Sequence, residues 1–241
     1  MNVYGITNKG IVRTQNQDYI YVSENEKYKL YIIADGMGGA NAGDIASSKA
    51  TEIAKEYIIN NYTEEDSLDI KEMLRNALGF ANKEIYELSI KNPEYEGMGT
   101  TIIILLIIGN KIYIGHIGDS SLYRIRKNVI RKITKDHTYV QKLLDNKEIT
   151  KQEAQNHPKR HMLTKVLGCE SFVEPDIIVK KIEDEDYILM CTDGLTNMIK
   201  DREIYNIIKE KQDCKLAVET LVDLANDRGG FDNISVILIN F

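Results

Sequence analysis

TIIILLIIGNKIYIGHIGDSSLYRIRKNVIRKI, residues 101–133, decides the fold class of this chain. Two apolar runs, Thr101–Ile108 and Lys111–Ile117, flank Gly109-Asn110, and two more, Leu122–Arg126 and Val129–Ile133, flank Lys127-Asn128. Two-residue links between apolar runs close β-hairpins, so the stretch predicts an antiparallel meander. Toward the N-terminus, Val3–Thr7, Tyr19–Ser23 and Tyr28–Ala34 read as strands, the last two around a polar turn at Glu24–Lys27. From Asp44 the apolar spacing becomes helical: Ile45, Ala46, Ala50, Ile53, Ala54, Tyr57 and Ile58 form one stripe. A second helix, capped by Ser67, carries Ile70, Met73, Leu74, Ala77, Leu78, Ala81, Ile85 and Leu88. Toward the C-terminus, strands at Tyr187–Thr192 and Ile234–Phe241 bracket helices that carry Ile204, Ile207 and Ile208, then Leu216, Ala217, Leu221 and Leu224. Runs of strands mixed with runs of helices, without strict β-α-β alternation, predict an α+β fold of two facing antiparallel sheets with helix pairs outside.

The 241 residues carry 31 Lys and Arg against 37 Asp and Glu, a net charge of −6. That balance argues against a nucleic-acid or anionic-membrane binder, which would show a basic stripe. The three cysteines, Cys169, Cys191 and Cys214, have no C-x-x-C spacing, so a reducing compartment is expected. The start MNVYGITNKG has no secretory pattern, and the longest apolar run, Ile102–Ile108, is far below the ~20 residues of a membrane span. A soluble, cytoplasmic chain is expected. Three prolines and no low-complexity tract predict a single domain over 1–241, with no separate regulatory domain. Within it the polar span 138–160, with its capping box Thr150-x-x-Glu153, reads as an exposed excursion.

Four aspartates stand against predicted strand ends: Asp35 and Asp193, each before a glycine, then Asp119 and Asp232. Asp18 sits at the start of the second strand and is placed to join them. Each Asp-Gly is equally a turn signal. If the carboxylates share one sheet edge, their mutual repulsion calls for a cation. Carboxylates without a His-Cys set suit Mg²⁺ or Mn²⁺.

Eight motifs carry a family resemblance: Arg13-Thr-Gln-Asn-Gln-Asp18, Asp35-Gly-Met-Gly-Gly39, Gly99-Thr-Thr101, Gly118-Asp-Ser120, Asp136-His-Thr138, Leu163-Thr-Lys-Val-Leu-Gly168, Thr192-Asp-Gly-Leu195 and Asp232-Asn-Ile-Ser235. In this order they resemble the metal-dependent protein Ser/Thr phosphatases of the protein phosphatase 2C family, in minimal bacterial form. The resemblance implies a four-layer α-β-β-α sandwich with a flap over 139–160. It implies two Mn²⁺ or Mg²⁺ ions, with Asp35 bridging both, the Gly36 carbonyl completing one site, and Asp193 and Asp232 holding the other. Asp119, with Asp193, resembles the ligands of a weaker third metal. Asp18 would order water, and Arg13 would clamp the substrate phosphate. The implied reaction is hydrolysis of phosphoserine and phosphothreonine in proteins by a metal-bridging hydroxide. The implied partners are phosphoproteins, among them a Ser/Thr kinase that the enzyme opposes, and a monomer is expected. An anti-sigma-antagonist pathway, or a silent phosphoprotein-binding scaffold of the same fold, is the alternative.

Three positions depart from the family pattern: Met37 where some relatives have a proposed acid His, Gln17 where Glu is common, and Ser121 where Arg is common. Elsewhere, His116 is expected to be buried and hydrogen-bonded, and His137 to be a structural turn residue. His161 is the best placed of the four histidines for a role near substrate. Cys191 is expected to be a small buried residue, and Asp184-x-Asp186 an exposed acidic turn.

Overall fold

The computed structural model describes residues 1–24, 27–62 and 70–241. The Ser67 cap and the middle of the 24–27 turn lie outside the described residues. In chain order, β1 (Asn2–Asn8), β2 (Asp18–Glu24) and β3 (Lys29–Met37) precede α1 (Gly39–Asn61) and α2 (Ile70–Lys91). Five strands follow: β4 (Gly99–Thr100), β5 (Ile102–Ile108), β6 (Lys111–Ile117), β7 (Ser121–Arg126) and β8 (Val129–Lys132). Then come α3 (Tyr139–Asp145), α4 (Lys151–Gln155), β9 (Asp176–Lys181), β10 (Tyr187–Cys191), α5 (Asp193–Thr196), α6 (Asp201–Lys211), α7 (Cys214–Asp227) and β11 (Ile234–Asn240).

Two antiparallel sheets result, ordered β1-β11-β10-β7-β8 and β2-β3-β5-β6-β9, with β4 paired to β3. Each central strand splits its residues between two cores, because successive side chains point to opposite faces. On β5, Ile102, Ile104 and Leu106 face α1 and α2, whereas Ile103, Leu105 and Ile107 face the other sheet. On β11, Val236 and Leu238 face the C-terminal helices, whereas Ile237 and Ile239 enter the layer between the sheets. A strand covered on both faces needs no polar alternation, which explains the unbroken apolar runs. Helix α1 seats on its sheet through Ala42, Ala46, Ala50 and Ala54, whose small side chains permit close approach. The four layers are therefore α-β-β-α, as expected.

Four readings of the elements need correction. The expected meander is two hairpins, β5-β6 in one sheet and β7-β8 in the other, because the chain crosses between the sheets after β6. Strand β9 escapes the apolar pattern because it is a half-buried edge strand, paired among the described residues to β6 alone. Helix α1 begins at Gly39, five residues before the apolar stripe at Asp44. Strand β3 does not stop at Ala34 but runs through Asp35 and Gly36 to Met37, pairing Asp35 with Asp18 and Gly36 with Thr100.

Candidate active site

The Asp-Gly steps at 35–36 and 193–194 are close approaches of backbone, not turns. Neither Gly36 nor Gly194 has a positive φ. A Cβ at Gly36 would lie 2.0 Å from the Gly43 carbonyl oxygen, and one at Gly194 would lie 2.0 Å from the Asn233 carbonyl oxygen. Only glycine lets α1 pack over the end of β3, and lets α5 pack beside the start of β11. Both packings bring an adjacent aspartate to the same place.

That place is a cavity of about 440 Å³ at one end of the two sheets, lined by Arg13, Asp35, Gly36, Asp119, Asp193 and Asp232. Asp35 comes from within β3, Asp119 from just after β6, Asp193 from the first turn of α5 and Asp232 from just before β11. Asp18 is buried behind them: its Oδ2 accepts hydrogen bonds from Ser235 Oγ (2.6 Å) and Thr192 Oγ1 (2.9 Å). Its Oδ1 is buried with no hydrogen-bond partner among the described residues. Arg13 Nη2 donates to Asp232 Oδ2 at 2.9 Å. Asn197 Nδ2 donates to Asp193 Oδ2 at 3.1 Å.

The electrostatics are those of like charges without enough counter-charge. Desolvation, followed by repulsion from Asp18, Asp193, Asp119 and Asp232, pushes the Asp35 carboxyl well above the usual range. Burial raises Asp18 to about 7, against the opposing hydrogen bonds of Ser235 and Thr192. Burial and the neighbouring Asp193 raise Asp119 to about 7 as well. Asp193 is raised by burial and by Asp232, with His161, Asn197 and Arg13 pulling it back. Carboxylate oxygens, a backbone carbonyl and a buried orphan oxygen form a hard donor set, which fits Mg²⁺ or Mn²⁺ better than softer ions.

Three supporting residues carry roles that sequence alone did not assign. Thr192 and Ser235 hold Asp18 across 174 and 217 positions of chain. Asn233 knits the Arg13 loop to β11: its Nδ2 donates to the carbonyls of Lys9 and Gln15, and its Oδ1 accepts from the Gln17 N–H. All three lie inside the quoted motifs, which was the available signal.

Other single-residue expectations divide. His161 lines the cavity, as its position after the flap suggested, and Cys191 is fully buried. Asp186 is not in an exposed turn: it is fully buried and receives the Arg126 guanidinium at 2.8 and 2.7 Å. His116 is buried, but its ring nitrogens lack hydrogen-bond partners of normal geometry among the described residues. It stacks on His137 at 4.8 Å between centroids, with 26° between planes. His137 Nδ1 accepts from the Gly118 N–H at 3.0 Å, and its Nε2 lies 3.2 Å from Asp176 Oδ2. These three side chains form a polar cluster outside the carboxylate cavity. One ligand atom of each lies within 4.8 Å of the others, and His137 stands at the root of the 139–160 segment. That root is closed by the bridge from Thr138 to Leu163 and by the Thr164 N–H on the His137 carbonyl (2.8 Å).

The family model described as "Protein phosphatase 2C" matches residues 11–225. The chain belongs to the protein phosphatase 2C family. It is 36% identical to the serine/threonine phosphatase stp of Listeria monocytogenes over 234 residues, covering 97% of this chain and 93% of that one. The solved serine/threonine phosphatase of S. agalactiae superposes with a TM-score of 0.92 at 35% identity, covering 99% of this chain and 98% of that one. The catalytic domain of the phosphatase PstP, solved in complex with two manganese ions, superposes at 0.85 with 31% identity, covering 98% and 96%. Among the described residues no helix is long and apolar enough to cross a membrane.

Proposed function

We propose that this protein phosphatase 2C member hydrolyses phosphoserine and phosphothreonine in proteins, with two divalent cations in the carboxylate cavity. The observation that carries the reading is the convergence of Asp35, Asp119, Asp193 and Asp232 with Arg13 on one cavity, with Asp18 behind them. Asp35, the Gly36 carbonyl, Asp193 and Asp232 are the residues to hold the ions, and Asp119 with Asp193 is placed for a third. When bound, such cations supply a water of lowered pKa as the nucleophile and offset the negative charge of the transferring phosphoryl group. The chain's own residues do the rest. Arg13 presents a guanidinium fork that matches two phosphate oxygens, where a lysine offers only a point charge. Asp18, fixed by two hydroxyls, accepts a proton or hydrogen bond through its free oxygen and so orients water. A monoester attached to a protein fits this open cavity, and the net charge of −6 disfavours a polyanionic diester backbone.

The whole chain is read as one cytoplasmic, monomeric catalytic domain in which 139–160 forms a flap, opposing a Ser/Thr kinase. The test is release of phosphate from a phosphothreonine peptide. Turnover is expected with Mn²⁺ or Mg²⁺ and is expected to vanish on chelation. Full activity after exhaustive chelation would refute the metal role.

A further inference from the structure

Beside the cavity stands an apolar rim that the fold does not use. Ile11, Val12 and Phe231 are 67%, 58% and 60% exposed, although each is large and apolar. They occupy two loops that meet: the N–H groups of Ile11 and Val12 both donate to the Gly230 carbonyl, at 2.9 and 3.1 Å. The first loop is pinned again where Asn233 Nδ2 holds the Lys9 carbonyl at 2.8 Å and Asn8 Oδ1 accepts from the Gly10 N–H at 2.8 Å. The exposure is thus imposed by hydrogen-bonded backbone. Val12 directly precedes Arg13, and Phe231 directly precedes Asp232.

A second cavity, of about 500 Å³, lies beside the site and meets this rim at Phe231. Its lining includes Phe231 and Met198 together with Arg13, Arg160, Asp193 and Asp232. Arg13, Asp193 and Asp232 also line the carboxylate cavity, so the two spaces adjoin. A group held between Arg13 and the aspartates therefore has apolar surface within reach on one side. Exposed apolar residues clustered and rimmed by polar groups mark binding surfaces.

We propose that this rim selects substrates: it takes phosphopeptides that carry an aliphatic or aromatic side chain within three residues of the phosphorylated Ser or Thr. The inference rests on the phosphatase reading and names the substrate class of that same site. Adjacency to the site commits the occupant to the substrate chain, because Val12 directly precedes Arg13 and Phe231 lines a cavity with Arg13 and Asp232. Charge agrees: Arg13 and Arg160 match the phosphate, whereas a protein of net charge −6 gives no advantage to acidic flanks.

Two phosphothreonine peptides test this, one flanked by leucines and one by glycines, each assayed with Mn²⁺ for kcat/KM. The leucine peptide is expected to be favoured about fivefold, as partial burial of one aliphatic side chain gives. In a double variant, Ile11→Ser with Phe231→Ser, that preference is expected to fall within twofold of unity, chiefly through KM. The ratio between the two peptides is the readout, and a thermal melt of the variant reports that it is folded. Phe231→Tyr is expected to keep the preference. Equal rates for the two peptides with the natural chain, or a preference that survives the double variant, overturns the inference and leaves the phosphatase reading intact. Hydrolysis of neither peptide overturns the phosphatase reading, and the substrate inference with it.

Discussion

Asp18 and Asp186 are both buried aspartates at or beside the start of a strand, and they are compensated in opposite ways. Asp186 is held by protein alone: Arg126 Nε and Nη2 reach its two oxygens at 2.8 and 2.7 Å, and the Glu183 N–H adds 3.0 Å. Asp18 receives two hydroxyls on one oxygen, nothing on the other among the described residues, and faces Asp35, Asp193 and Asp232. A buried charge that serves structure brings its counter-ion in the sequence. One that serves chemistry leaves the counter-charge to be supplied from solution.

The comparison breaks most sharply at Asp193. Asp193→Asn is expected to lower kcat with a phosphothreonine peptide about a thousandfold, the order found when a charge-stabilising group is removed from an active site. The same change is expected to leave the metal-free protein at least as stable as before, because it removes one of the repelling charges. Activity assays paired with thermal melts check both halves. A large loss of metal-free stability would mean that Asp193 is compensated internally, as Asp186 is.

Next in size is the pH dependence of the metal-free protein. Asp18 and Asp119 are raised from 3.8 to about 7, so between these values the folded chain binds more protons than the unfolded chain. Stability is therefore highest near pH 4, falls as pH rises toward 7, and is level above that. Three units for one group correspond to an upper figure on the order of 4 kcal/mol, shared among coupled carboxyls. Denaturant melts at several pH values are expected to show this fall with chelator present and to lose most of it with Mn²⁺. A metal-free stability that rises from pH 4 to 7 would contradict the crowding of carboxylates.

On the other side of the comparison, Asp186→Ala strands Arg126, leaving it the Lys181 carbonyl and Glu183 among the described residues. It is expected to cost about 2–3 kcal/mol, below the range for fully buried pairs because Arg126 keeps some exposure. Turnover per folded molecule is expected to stay unchanged. Urea unfolding and kcat measured on one preparation separate the two effects.

How legible each side was in the sequence follows from what holds it. The hairpins within 101–133 are legible because β5 is buried on both faces and the links at Gly109-Asn110 and Lys127-Asn128 are two residues long, whereas the crossing between sheets after β6 leaves no mark in the apolar pattern. Strand β9 was not, since DIIVKK is half-exposed at a sheet edge and owes its structure to pairing with β6. The cavity aspartates were visible as motifs. The partners of Asp18 were not, because Thr192 and Ser235 reach it only after two sheets have stacked. Asp186 was misread as surface for the same reason: its counter-ion, Arg126, lies 60 positions away on β7.

The smallest expected effect is the most discriminating for Arg13. In the structure its guanidinium, half exposed at the cavity mouth, pairs with Asp232 at 2.9 Å. That pairing alone would make it a smaller version of Arg126, a cation serving a carboxylate. Arg13→Lys keeps the charge and the reach to Asp232 but removes the planar fork. If Arg13 binds phosphate through two parallel N–H groups, KM for a phosphothreonine peptide is expected to rise about tenfold with kcat changed less, since one charge-assisted hydrogen bond is lost. If its role is to neutralise Asp232, lysine substitutes fully and neither constant moves. A kcat and KM pair for this one variant therefore decides which side of the comparison Arg13 belongs to.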